Sequence, residues 1–184
     1  MKQRLAMKTI ETERLLLRPF ATDDLDDFAL LCADPEVMRF IGDGKPQSRE
    51  RAEIRFNALI KHGNDHGFAP FAVTTKSGSD FAGFCGLQHL DSTPEIEVGY
   101  RLRKRFWGMG LATEAARASL RFGFEELALD RIVAVVQPQN IASCRVIEKI
   151  GLRYVRDARF YETNVRYYAT SREEYRPDDS REKA

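Results

Sequence analysis

Apolar residues fall along this chain in two rhythms, one near 3.6 and one of 2, and the changes between them mark out its elements. From Thr12 to Phe20 the run Leu15-Leu16-Leu17 stops at Arg18-Pro19. This reads as a short buried strand, because proline has no N–H for a ladder. Thr22 or Asp23 then caps a helix from Asp24, whose apolar positions Leu25, Phe28, Leu31 and Cys32 keep helical spacing. Ile41 to Gln47 contains Gly42, Gly44 and Pro46 and reads as a loop. Ser48 caps a second helix that runs to about His62, with Gly63 as its stop. From Phe68 the rhythm becomes extended: Phe71 to Thr75, a turn over Lys76 to Asp80, and a second run to Leu90 predict a hairpin. Glu95 to Leu102 alternates, putting Glu95 and Glu97 on one face and Ile96 and Val98 on the other, with Gly99 as the site of a bulge.

The strongest helical pattern is Leu111 to Leu127, where Ala112, Ala116, Leu120 and Gly123/Phe124 form the apolar face. Leu129 to Gln137 reads as a β-branched core strand. Asn140 caps a further helix that ends at Gly151, and extended runs follow at Tyr154 to Tyr161 and Val165 to Thr170. Strands at 68–102 in direct succession favour antiparallel pairing, whereas a helix between two strands requires one parallel crossover. The expected fold is therefore α+β: a mostly antiparallel mixed sheet of about seven strands with one parallel pair, flanked by about four helices.

Length and composition narrow this picture. With 184 residues and about 150 per domain, one domain over 1–184 is expected, its core at 9–171 and a flexible charged tail at 172–184. Lys and Arg number 29 and Asp and Glu 28, a net charge of +1, so the bulk charge of a dedicated nucleic-acid binder is absent. No apolar run is long enough to span a bilayer, and no secretory pattern opens the chain, which predicts a soluble cytoplasmic protein with no membrane partner. Cys32, Cys85 and Cys144 form no C-x-x-C pair, in keeping with a reducing compartment. His62 and His66 are spaced i,i+4, but no H-E-x-x-H arrangement or third ligand accompanies them. They read as solvated loop histidines, and no metal is expected.

The segment Arg105-Phe106-Trp107-Gly108-Met109-Gly110-Leu111-Ala112-Thr113-Glu114 lies between a strand and the best helix. Two glycines there allow a tight turn whose N–H groups, with a helix N-terminus, converge on one anion such as a phosphate. A mere tight turn has the same spacing. Arg101, Arg103, Lys104 and Arg105 stand directly before it as further donors. A Walker loop is excluded because Leu111-Ala112 replaces Lys-Ser/Thr, and a dinucleotide site is disfavoured because Val136-Gln137-Pro138 offers no acid at the next strand end.

These residues, together with Thr12-Glu13-Arg14-Leu15-Leu16-Leu17-Arg18-Pro19, Glu97-Val98-Gly99-Tyr100, Asn140-x-x-Ser143 and Glu148-Lys149-x-Gly151-Leu152, resemble the GNAT superfamily of N-acetyltransferases. The resemblance is to the branch of the ribosomal-protein N-terminal alanine and serine acetyltransferases, and it covers nearly the whole chain. It implies acetyl-CoA as co-substrate, bound beside the parallel strand pair. Backbone at Tyr100, Arg101 and Leu102 would pair with the pantetheine. The turn from Arg105 through Trp107, Gly108, Met109 and Gly110 would cradle the pyrophosphate, and Leu111, Ala112 and Thr113 would begin the helix that caps it. Asn140 matches a cofactor-bonding position, and Ser143 one that faces the cofactor sulfur. Read as residues alone, Asn140 is also a good N-cap, Ser143 a small first-turn residue, and Trp107 and Tyr100 either channel lining or core. The tyrosine that many members carry one turn beyond Ser143 is replaced by Ile147.

Acetyl transfer needs a neutral amine, whereas a lysine amine titrates near 10.4 and an α-amine at about 7.7–8.0. Glu97 is the first candidate base, with Glu95 on the same face, although paired acids on a strand edge are often only solvated. The acid role falls to Ser143, to water or to no particular group. Cys144 has no histidine placed by sequence to activate it, and the resemblance implies direct transfer in a ternary complex. The expected partner is an amine, a protein N-terminus or a small molecule, shaped by the region 24–62 and the hairpin 160–166. A non-catalytic acyl-CoA sensor on the same fold is the alternative, and monomer and homodimer are both open.

Overall fold

A computed structural model describes residues 7–177. Eight strands form one sheet: β1 (Ile10–Glu11), β2 (Leu15–Arg18), β3 (Pro70–Thr75), β4 (Phe81–His89), β5 (Ile96–Leu102), β6 (Arg131–Val136), β7 (Arg153–Phe160) and β8 (Thr163–Ser171). Their order is β1-β2-β3-β4-β5-β6-β8-β7. Every neighbouring pair is antiparallel except β5–β6. Five helices flank the sheet: α1 (Leu25–Ala33), α2 (Pro35–Met38), α3 (Arg49–His66), α4 (Leu111–Arg121) and α5 (Ile141–Lys149).

The α+β architecture is the expected one, with one strand and one helix added. β1 arises because Thr12 N–H bonds Leu15 C=O (3.0 Å), folding Ile10 back opposite Leu17. The short α2 starts at a proline, which suits a first helical position, and Asp34 caps it by accepting from the Glu36 and Val37 amides.

Alternation along the strands sends side chains into two layers. On one face Leu15, Leu17, Phe71, Val73, Leu87 and Val98 pack with α4 and α5. On the other, Ala72, Phe81 and Phe84 meet Phe28, Phe56 and Leu59 of α1 and α3. At the far end of that second face, Leu90 joins Val133, Tyr167 and Ala169.

Four local expectations are corrected. Thr22–Asp24 is a 3-10 turn rather than a cap, and the Asp24 carboxylate instead receives both guanidinium nitrogens of Arg18, each at 2.7 Å. Gly63 does not stop α3; the helix continues to His66 and closes at Gly67, whose φ of 80° is left-handed. The want of a side chain at 63 matters for packing, since a Cβ there would lie 3.0 Å from Met7 Sδ. Gly99 pairs regularly with Gly86, and the register break occurs at Val73/Thr74 instead. The long helix is α only to Arg121, then passes into a π turn over Phe122–Glu126. Gly123 sits in that turn where a Cβ would come within 2.6 Å of Ile132 Cδ1.

The expected tail begins with contacts: Arg172 N–H bonds Asp130 C=O (2.9 Å) and Tyr175 stacks on Phe124 at 4.8 Å. The remainder of that segment, 178–184, lies outside the described residues. Among the described residues, no helix is long and apolar enough to cross a membrane.

Candidate functional site

β5 keeps its β4 partners from Ile96 through Leu102, but its parallel ladder with β6, among the described residues, is formed at Glu97 opposite Val133 alone. Beyond that point the two strands diverge. The β6-facing edge beyond that bridge, around Tyr100, thereby lacks a strand partner, and an extended ligand carrying its own amides can pair there. Tyr100 turns its backbone groups to this edge; those of Arg101 face Phe84 of β4, and the Leu102 C=O accepts from Trp107.

The chain then enters a 3-10 turn (Lys104–Phe106) and reaches Gly108 and Gly110, at φ 75° and 79°. A Cβ on Gly108 would meet nothing within 4 Å, so the glycine is required by its backbone and not by space. Gly110 is the N-cap of α4, no side chain caps that end, and the first backbone bond is Glu114 N–H to Gly110 C=O (3.1 Å). The amides of Leu111, Ala112 and Thr113 are thus available to an anion, with the positive end of the helix behind them. Met109 is exposed and Leu111 buried beneath the turn.

Three ties hold the turn rigid. Trp107 donates its indole N–H to Leu102 C=O at 2.8 Å, fastening the turn to the end of β5. Its ring is 46% exposed, so it is not core. Arg14 donates to Met109 C=O (2.8 Å) and to the Glu114 carboxylate (2.7 Å). Thr12 Oγ1–H and the Arg14 amide also donate to Glu114, at 2.6 and 2.8 Å. Burial would raise the Glu114 carboxyl, but these bonds outweigh it and hold it below its ordinary value. Arg14 was visible only as part of an opening motif; its work on a turn 95 residues later is decided by the fold.

The basic run before the turn is spread over several elements. Strand alternation carries Arg101 to the α1 side, where it lies over the Phe84 ring (5.2 Å) and bonds only sulfur, Cys32 Sγ and Met38 Sδ, each at 3.4 Å. Its Nε is buried without a partner. Arg103 pairs with Asp27 (2.7 Å), Lys104 with Glu36, and Arg105 with Asp80 (3.2 Å). Arg103, Lys104 and Arg105 thus each have a carboxylate partner, with Lys104 and Arg105 still largely exposed, and the backbone amides of the turn form a further donor set.

Even-numbered β5 side chains face α4 and α5. There Tyr100 Oη lies 2.8 Å from Ser143 Oγ, and burial pushes the phenol's pKa up. Asn140 caps α5 by accepting from Ser143 N–H at 3.2 Å. Ile147 is 1% exposed in the core, and Cys144 is buried without a histidine neighbour among its interactions.

Odd-numbered side chains face α3. Glu97 is only 5% exposed. Gln88, directly opposite it on β4, donates Nε2–H to its carboxylate at 2.7 Å, and Tyr161 donates its phenol O–H to the same oxygen. Gln88 Oε1 in turn accepts from Arg55 of α3 (2.9 Å). Burial raises the Glu97 pKa, and the bonds from Tyr161 and Gln88 only partly offset it. Glu95 is held apart, accepting from the Tyr167 phenol. A cleft of about 320 Å³ opens beside Glu97, lined by Arg55, Gln88, Asp91 and Tyr161 among others. Gln88, Tyr161 and Arg55 carry no motif; Arg55 falls in the region 24–62 and Tyr161 in the hairpin 160–166 expected to shape the acceptor groove, while nothing in the sequence pointed to Gln88.

His62 and His89 also line this cleft, and His66 stands beside them. His62 and His66 stand on the last turns of α3, not in a loop, and His89 ends β4.

Comparison with known proteins agrees with this geometry. Residues 14–153 match the family model "Acetyltransferase (GNAT) domain". The chain belongs to the GNAT acetyltransferase family. That membership makes it an N-acetyltransferase. It is 33% identical over 168 residues to the uncharacterized protein YkkB of Bacillus subtilis (strain 168), covering 89% of this chain and 95% of that one. It is 30% identical over 159 residues to the FsC-acetyl coenzyme A-N(2)-transacetylase of Aspergillus fumigatus, covering 82% of this chain and 67% of the relative. The crystal structure of a GNAT-family acetyltransferase from Bacillus anthracis superposes with a TM-score of 0.78 at 29% identity, covering 91% of this chain and all of that one (100%). The split β5–β6 edge and the glycine turn lie inside the matched region.

Proposed function

We propose that this protein transfers acetyl from acetyl-CoA directly to a primary amine, a protein N-terminus or a small molecule, in a ternary complex. The observation that carries this reading is the conjunction of the open β5 edge with the uncapped start of α4. One offers amide partners to an extended chain and the other binds a phosphate, the two things a pantetheine diphosphate presents together. The A. fumigatus relative, named for acetyl coenzyme A, supports the same donor.

Acetyl-CoA supplies a thioester carbonyl activated toward amines. Residues 98–102 bind its pantetheine through backbone, and Gly108, Met109, Gly110, Leu111, Ala112 and Thr113 hold its diphosphate. Asn140 serves chiefly as the cap that orients α5. Because alternation places Glu97 and Tyr100 on opposite faces of β5, base and acid stand on opposite sides of the sheet, with the strand divergence as the passage between them. Glu97 takes the amine proton on the α3 side, directly or through water, and its raised pKa makes it a stronger base than an ordinary carboxylate. On the other side the Ser143 hydroxyl, bonded to Tyr100, returns a proton to the departing sulfur. Glu95 attracts the cationic amine before it loses its proton. The three free buried cysteines suit a reducing cytoplasm.

The test is a thiol-release assay with acetyl-CoA over peptides of different N-termini, polyamines, amino acids and aminoglycosides. At least one class is expected to turn over, and Glu97→Gln is expected to lower kcat by about 10²–10⁴. Tight acetyl-CoA binding with no thiol release across the panel would replace the enzyme with a sensor. Acetyl found only on lysine side chains of peptides would reject the N-terminal acceptor.

A further inference from the structure

The sequence offers two histidines at i,i+4, and the fold brings a third. His62 and His66 share one face of α3, and β4 ends at His89 directly beneath them. One ligand atom from each of the three lies within 4.8 Å of the others. Their rings are in mutual contact, with centroids 4.5, 5.1 and 4.7 Å apart. Among the described residues they are the one group of three potential ligands so arranged. We propose that His62, His66 and His89 form a binding site for a divalent transition metal, zinc above all, with a fourth position open to the neighbouring cleft.

Four observations carry this. His62 Nε2 is buried and has no hydrogen-bond partner, an arrangement that costs energy unless something meets the nitrogen. A tetrahedral ion at about 2.0–2.1 Å from each nitrogen needs nitrogens roughly 3.3 Å apart, a contraction within reach of χ rotations at a helix end, where His66 is exposed. The ligands sit on the last two turns of α3, whose unmet carbonyls favour a cation. The cleft lined by His62 and His89 is also lined by Asp91, so the open position faces a carboxylate. Arg55, which shares the cleft, is engaged with Gln88. Three imidazoles and no carboxylate in the ligand set select Zn²⁺, Co²⁺, Ni²⁺ or Cu²⁺ over Mg²⁺ and Ca²⁺. Such an ion would fasten α3 to β4 at the floor of the cleft beside Tyr161.

The test uses the untagged full chain, stripped with chelator, at neutral pH and without acetyl-CoA, so that it stands apart from the acetyl-transfer reading. Titration with ZnCl₂ is expected to show one equivalent bound at micromolar Kd or tighter and a raised Tm, with no response to MgCl₂. Co²⁺ is expected to give the visible absorption of a tetrahedral nitrogen-ligated ion. His66→Gln, on the exposed rim, and His89→Asn should each weaken Zn²⁺ binding by at least about tenfold and remove that absorption. Absence of stoichiometric Zn²⁺ binding would overturn the site and leave a histidine stack. Binding unchanged in both variants would also overturn it, assigning the metal to Cys32, Cys85 or Cys144.

Discussion

Arg101 shows how little a residue's type says about its work. In sequence it heads a basic run before a phosphate-like turn; in the fold it is enclosed between Phe84 and two sulfurs, with no carboxylate beside it among the described residues. Burial lowers its pKa, in the direction expected of a cation removed from water. A buried charge without an anion rarely contributes to stability, and an apolar side chain of similar volume is often neutral or better. Arg101→Met is therefore expected to leave Tm unchanged or raise it by several degrees in a thermal melt. A fall of more than about 4 °C, roughly 1 kcal/mol at this chain length, would show the guanidinium to be a net stabiliser. Glu97 is the opposite case. Its candidacy as base was legible from strand alternation, but its burial and its bonds to Gln88 and Tyr161 were not, because partners 9 and 64 residues away are set by sheet register and hairpin position.

At the level of elements, the β5–turn–α4 segment was the most legible part of the chain. Its glycines, strand rhythm and helical face all lie within one short stretch, where local conformational preference governs. What fixes the turn is distant: Arg14 spans from the start of β2 to Met109 and Glu114. Arg14→Ala is expected to weaken acetyl-CoA binding about tenfold or more, since bonds to charged groups contribute about 1.5–3 kcal/mol, while kcat changes little; calorimetry and KM for acetyl-CoA check this. The same tie makes the turn acid-sensitive. Because the folded Glu114 pKa lies below its ordinary 4.5, its stabilisation is complete above that pH and is lost as pH falls through the lower folded value. The π turn after α4 escaped the sequence reading, since a period near 3.6 runs unbroken through Arg121 and the extra residue is accommodated only by packing of Gly123 against Ile132 and Leu87.

Across the whole molecule, the split sheet joins two half-sites that are each incomplete: a donor channel on the α4–α5 face and a polar cleft on the α3 face. A ligand filling the channel should bind the folded state alone. Acetyl-CoA at about 100 times its Kd would then add about 2.7 kcal/mol, read in a thermal melt as a Tm rise of about 5–10 °C; no rise at saturating concentration would refute the channel. The sequence by itself determined the order of the main elements, the mixed sheet with its one parallel crossover and the glycine turn before a helix, because these follow from periodicity and from φ preferences that act within a few residues. Only the tertiary structure decided which charges remain available at the turn, which groups hold Glu97, and that His89 comes to stand beneath His62 and His66. Those outcomes depend on which strand lies beside which and on which face each side chain emerges, relations between distant segments that no local pattern encodes.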